Sequence, residues 1–502
     1  MIAGGLAAVW GAACHRPAGS LTIPVMTSAS KAVPGGPPDV EIALRAVPGE
    51  AVLDVERAGA SRVWRFEGEV LTGPKDTLSS FEQSYLGPTF RVRRGQRVRI
   101  HFDNALDEPS IVHWHGLNVS QENDGHPRLA VNKGSSYAYD FTVDNPAGTY
   151  WYHPHPDGRT GAQVYAGMAG MFLVVDDDDG ARGLPTGEFD LPLVLQDRAL
   201  DAQGELLYDH SPMIGMLGDR MFVNGNPNIT QLVKAGTYRL RLLNGSNARI
   251  FKLAWSDGSP MTVIGSDGGL LAAPVRKPYV MLAPAERIEL WADFGRAPAG
   301  EALALESQAF VAERGRMGMR GGASVPNGTP FQACRFSVRG RGRRLTLPTQ
   351  LRPLAWRPPA EVINVGRPRR FDVTMNMMRF LLNDRTFEMT GVAPDERVKL
   401  DTTEDWEFRN PGGMMAMPHP IHVHGGQFQI VERSVAPGAQ GAWSTVGDGL
   451  INEGWKDTFL LMPGERVRIR LRFERHAGLF LYHCHNLEHE DLGMMRNFSI
   501  EA

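Results

Sequence analysis

A chain of 502 residues with 53 basic and 56 acidic side chains has a formal net charge of -3, which gives no reason to expect a nucleic-acid or other polyanionic partner. With 42% hydrophobic residues it can bury substantial cores, and 56 glycines with 35 prolines make it loop-rich, in the manner of all-β chains with many short strands. Its three cysteines, Cys14, Cys334 and Cys484, are too few and too odd in number for a disulfide framework.

The first segment, "MIAGGLAAVWGAAC", is small and apolar, too short to span a bilayer, and runs into a polar, proline-rich stretch. It has the character of the apolar region and cleavage site of an export signal. "GAAC" is close to a bacterial lipoprotein cleavage box, with Cys14 as the acylated residue and a lipid anchor there as the consequence. A plain tail of small residues is the alternative. Residues 1–37 are therefore expected to be export signal and linker, and the mature protein periplasmic or associated with the cell envelope, without a transmembrane segment.

From residue 38 onward, turn signals punctuate short alternating strands. "RVRRGQRVRIHFDN", "GTYRLRLLNGS" and "APAERIELWADF" share this character, and "ERVRIRLRFE" is the clearest. In it Val467, Ile469, Leu471 and Phe473 alternate with Arg466, Arg468, Arg470 and Arg472, the pattern of a half-buried antiparallel strand. "TMNMMRFLLN" reads as one strand, "DDDDG" as a solvated turn, and Cys334 as a small buried hydrophobe on a strand. No long amphipathic helix is apparent. Composition breaks near "DDDDGARGLPTGE" and "VRGRGRRLTLPTQLRPLAWRPP" divide the chain into three β-sandwich domains, 38–180, 181–347 and 348–502. "GTYWYHPH" (148–155) and "GLFLYHCH" (478–485) echo one another near the ends of the first and last. The middle block has no histidine cluster, so chemistry is expected in domains one and three.

Ten of the fifteen histidines fall in four clusters: "HWH" (His113, His115), "HPH" (His153, His155), "HPIHVH" (His419, His422, His424) and "HCHNLEH" (His483, His485, His489). One His-x-His is weak; four in a chain are hard to assign to packing. On a strand, alternate side chains face opposite ways. His483 and His485 then point to one side and Cys484 to the other, so Cys484 can bind one metal while its neighbours bind others. Cys484, His419 and His489 make a His2Cys set with Met494 as a weak axial ligand, the ligand set of a blue-copper electron-transfer site. Zinc competes for such ligands, but structural zinc sites usually pair cysteines.

With these four motifs in order, residues 40–502 resemble a three-domain bacterial multicopper oxidase of the laccase and cuprous oxidase group. The resemblance implies three consecutive cupredoxin-like Greek-key β-sandwiches and four copper ions per chain. Cys484, His419, His489 and Met494 match the type 1 copper ligands, and Met494 rather than Met495 stands where the family has the axial residue. His113 and His422 match the type 2 ligands. His115, His153 and His485 match one ion of the type 3 pair, and His155, His424 and His483 the other. Asp124 and Glu490 match proton-delivering carboxylates; a turn at Asp124 and a merely orienting role for Glu490 are the plain alternatives.

The implied reaction takes four single electrons from a small reductant and reduces O2 to two waters. Phenols and aromatic amines need an open pocket at the edge of a type 1 histidine, whereas Cu(I) needs soft ligands there. Met317, Met319, Met375, Met377, Met378, Met414, Met415 and Met417 could supply thioethers, with core filling as the alternative. The chain lacks the long Met-rich insertion of the cuprous oxidases it resembles, and Met414 and Met415 stand where those carry an acidic residue. A laccase-like activity therefore leads, a cuprous oxidase follows, and a non-catalytic copper-binding scaffold ranks below both. One chain supplies both halves of the trinuclear set, so a monomer is expected.

Overall fold

The computed structural model describes residues 36–54, 59–296, 302–312, 325–355, 357–376, 379–412 and 416–502. Cys14 and almost all of the N-terminal segment lie outside the described residues, as do Met317, Met319, Met377, Met378, Met414 and Met415. The strands gather into six sheets among the described residues, two to each of three sandwiches. The first sandwich ends at Val175 and the second begins at Asp190; the second ends at Arg341 and the third begins at Arg369. Helices are minor, the longest among the described residues being Thr160–Tyr165. None is long and apolar enough to cross a membrane.

Alternation builds these sheets. In the strand Glu465–Phe473 the four apolar side chains are buried, and Arg466 is exposed. Arg470 departs from the pattern: it is buried, with its guanidinium forked onto Asp405 at 2.8 and 3.1 Å, because a buried charge must find its counter-charge. The acidic run departs likewise. Asp176, Asp177 and Asp178 are exposed, but Asp179 is buried 2.7 Å from Arg239. "TMNMMRFLLN" is not one strand. It contributes to Arg369–Asn376 and Arg379–Leu382, an antiparallel pair with Asn376 opposite Arg379.

The first and third sandwiches repeat one another. In each, a short His-bearing strand (Val112–His115, His419–Val423) pairs with the strand of the Tyr-His-x-His motif (Gly148–Pro154, Gly478–Cys484), which pairs in turn with a third. The domains are tied by apolar contacts. Trp151 and Tyr85 pack with Phe222 and Leu243 of the middle sandwich, and Tyr279 and Met281 pack with Val446 and Leu460 of the third.

Candidate metal centres

Register positions the histidines. His113 stands opposite His153 in the first sandwich, and His422 opposite His483 in the third, where Ile421 faces Cys484. The histidine faces of the two domains then meet: the His113 ring stacks on His424 with centroids 3.9 Å apart, and His115 on His422 at 3.7 Å. All ten clustered histidines, Cys484 and Met494 are at most 3% exposed.

Eight of these histidines form one buried cluster between the domains. The Nε2 atoms of His155 and His424 lie 3.4 and 3.0 Å from that of His483. The rings of His115, His153 and His485 stand 5.1–5.6 Å apart, and those of His113 and His422 are 5.6 Å apart. The donor atoms interleave: those of His113, His115 and His153 lie within 4.8 Å of one another, as do those of His113, His422 and His424.

The rings are prepared as ligands. Burial pushes His113, His115, His422, His424 and His485 well below the ordinary imidazole range, and His153 and His155 to about 3 and about 4, so the rings are neutral. One nitrogen is anchored in most of them. His113 Nδ1 donates to Asp124 O at 2.6 Å, His422 Nδ1 to Asp457 O at 2.7 Å, and His153 Nδ1 to Pro154 O at 2.9 Å. A ring that donates through Nδ1 keeps its lone pair on Nε2, and Nε2 of each of these three is buried without a hydrogen-bond partner. His115 is turned the other way: Nε2 meets Asp457 Oδ1 at 3.1 Å and Nδ1 is the unpartnered atom. Buried unpartnered nitrogens are costly unless something binds them. A cluster of neutral imidazoles with inward-facing lone pairs fits copper.

A second centre lies behind Cys484. Its Sγ is 3.4 Å from His419 Nδ1 and 3.7 Å from His489 Nδ1. Burial pushes the Cys484 thiol up and His489 down to about 4; with no cationic side chain among the described residues to favour it, the thiolate form calls for a metal. Met495 stands opposite His483 in the ladder, facing the histidine cluster's side, while Met494 packs in the core cluster that holds Cys484. His489 O accepts the Met494 amide at 2.9 Å.

Two family models described as multicopper oxidase match residues 65–179 and 363–502. A multicopper oxidase of Staphylococcus haemolyticus is 30% identical over 425 residues, covering 84% of this chain and 83% of the relative. The chain belongs to the multicopper oxidase family. A laccase of Bacillus subtilis is 28% identical over 482 residues, covering 85% of this chain and 91% of its own length. The crystal structure of the McoA multicopper oxidase of Aquifex aeolicus matches with a TM-score of 0.77 at 31% identity, covering 93% of this chain and 97% of that one. The multicopper oxidase described here is thus a copper-binding oxidoreductase with cupredoxin-fold domains.

Three carboxylates serve the histidine cluster of this multicopper oxidase. Asp124 is buried with Oδ2 2.8 Å from His424 Nδ1 and Oδ1 3.5 Å from His113 Nδ1, and burial raises its carboxyl well above the usual range. Glu490 lies with Oε2 3.1 Å from His483 Nδ1 and Oε1 3.6 Å from His155 Nε2. The third, Asp457, is absent from the sequence reading. It anchors His115 and is gripped by Arg287 of the middle sandwich, Nη1 to Oδ1 at 2.7 Å and Nη2 to Oδ2 at 2.5 Å. Its one sequence signal is an acid at the head of the apolar run "DTFLLM", which also suits an ordinary strand start.

Proposed function

We propose that this chain is a laccase-like oxidase coupling four one-electron oxidations of a phenol or aromatic amine to reduction of O2 to two waters. The observation that carries the reading is Cys484, which faces His419 and His489 while its neighbours His483 and His485 belong to the eight-histidine cluster. Bound copper supplies one-electron acceptance at the Cys484 centre and four-electron delivery to O2 at the cluster. In this reading His419, Cys484, His489 and Met494 would hold the type 1 ion, and His113 and His422 the type 2 ion. His115, His153 and His485 hold one type 3 ion, and His155, His424 and His483 the other. The backbone from Cys484 to its flanking histidines is the covalent route between the centres. Asp124, with Oδ2 2.8 Å from His424 Nδ1, and Glu490, with Oε2 3.1 Å from His483 Nδ1, hold and relay the protons that two waters require.

One observation favours a cuprous oxidase. Phenols call for an open pocket at a type 1 histidine, yet His419 and His489 are buried. Against it, Met417 is packed in the core, which leaves few thioethers among the described residues to receive Cu(I). Oxygen uptake by the copper-loaded protein decides between them, with Cu(I) and 2,6-dimethoxyphenol offered separately beside a Cys484→Ser control. Faster uptake with the phenol supports the laccase reading, faster uptake with Cu(I) the second, and no uptake with either removes both.

A further inference from the structure

The imidazole edge through which a reductant would meet His489 is already taken. His489 Nε2 donates to the backbone carbonyl of Met213 at 3.0 Å. Met213 belongs to a tight loop of the middle sandwich, closed on itself by Gly215 N donating to Ser211 O at 2.8 Å. Ser211 Oγ accepts the Met213 and Ile214 amides at 3.2 and 3.3 Å.

The loop is clamped onto the "HCHNLEH" segment at three points. Besides the His489 bond, Asn486 Nδ2 donates to Ile214 O at 3.0 Å, and the Met216 amide donates to Glu488 Oε2 at 2.9 Å. Gly215 takes φ +87°, and a Cβ there would stand 2.6 Å from both Ala248 Cβ and Asn486 Oδ1, so the clamp needs glycine. The Met213 side chain continues inward into the core cluster that contains Cys484 and Met494. Phe380 closes another side, its ring 4.0 Å from that of His489. On the outside, Pro212 is exposed, while half-buried Ile214 packs against the same core cluster as Met213.

We propose that the Ser211–Met216 loop is the cover that sets reductant access to this centre. Donors dock on its outer face at Pro212, with Ile214 and Met213 packed beneath it, and electrons cross through the Met213 carbonyl to His489. This rests on the oxidase reading above. Each phenol gives one electron to the bound copper and its hydroxyl proton to water, leaving a phenoxyl radical. A donor that needs no bond to the imidazole gains most from this route; a phenol, which would profit from a direct bond to Nε2, still gives its electron through the carbonyl, but more slowly than it would to a bare imidazole edge. Met213 and Ile214 are therefore specificity-determining residues.

Two readouts test this in Met213→Gly and, should that variant fold poorly, Ile214→Ala. In the copper-free protein, carbethoxylation of His489 by diethylpyrocarbonate, followed by peptide mass spectrometry, reports the cover without any turnover. In the copper-loaded protein under nitrogen, bleaching of the blue absorption by 2,6-dimethoxyphenol and by hexacyanoferrate(II) gives a selectivity ratio. The expected result is slow modification of His489 in the parent, faster modification in the variant, and a rise of roughly tenfold in the phenol-to-hexacyanoferrate ratio. Equal modification in parent and variant, or an unchanged ratio, overturns the proposal. Lack of oxygen uptake with every donor would defeat the oxidase reading instead, while the copper-free measurement still reports on the cover.

Discussion

An imidazole has one lone pair to give, and whatever holds its other nitrogen decides where that pair points. In this protein the holders are mostly backbone carbonyls, at Asp124, Pro154 and Asp457. Carbonyls are invisible to a reading of residue types, which is why the histidines could be named from spacing but their tautomers could not. The axial position was legible in part. Spacing alone leaves Met494 and Met495 open; in the ladder Met495 shares its side with His483, while Met494 packs in the cluster that holds Cys484, which supports Met494 in the oxidase reading. A thioether donates to oxidised copper and lowers its potential. Met494→Leu is therefore expected to keep the blue absorption and raise the potential in a redox titration. A potential that stays or falls would count against Met494 as the axial group.

Strands do the next level of work. Period-2 alternation puts Cys484 and its neighbours on opposite sides, and that is readable from a seven-residue stretch because the period is local. Pairing is harder: a lone Asn376 in "NMMR" is a weak signal, and the antiparallel register of Asn376 with Arg379 appears only in the sheet. Gly116, next to His115, belongs to this level. It takes φ +84°, and a Cβ there would run into Asp457 Oδ2 and Arg287 Nη2. The left-handed backbone alone costs a non-glycine residue about 1–2 kcal/mol, and the collision adds to that by pushing Asp457 off His115. Gly116→Ala should lower both the melting temperature and the copper-to-protein ratio found by elemental analysis. Unchanged copper content would separate the Asp457–Arg287 pair from metal retention.

At the scale of the whole molecule, the middle sandwich is the one whose role changes most between sequence and structure. It has no histidine cluster, yet it sends Arg287 to Asp457 behind one centre and the Met213 carbonyl to His489 at the other. Arg287 is fully buried and also donates to Thr149 O of the first sandwich at 2.9 Å, so all three domains meet on one guanidinium. Removing one partner of a buried ion pair costs about 3–5 kcal/mol because the other is left uncompensated. Arg287→Ala is expected to show a destabilisation of that order in denaturant unfolding, largely independent of salt. A loss as small as that of an exposed pair would show that water or another cation replaces it.

The sequence by itself determined the all-β class, the four histidine clusters and the sidedness of Cys484. Each of these follows from composition or from a repeat only a few residues long. The tertiary structure decided which histidines stack on which, which nitrogen each one presents, and what covers His489. Those contacts join residues 170, 276 and 342 positions apart, as in Arg287 to Asp457, Met213 to His489 and His115 to Asp457. No local pattern can encode a partner at that distance; only the packing of three sandwiches brings it within reach.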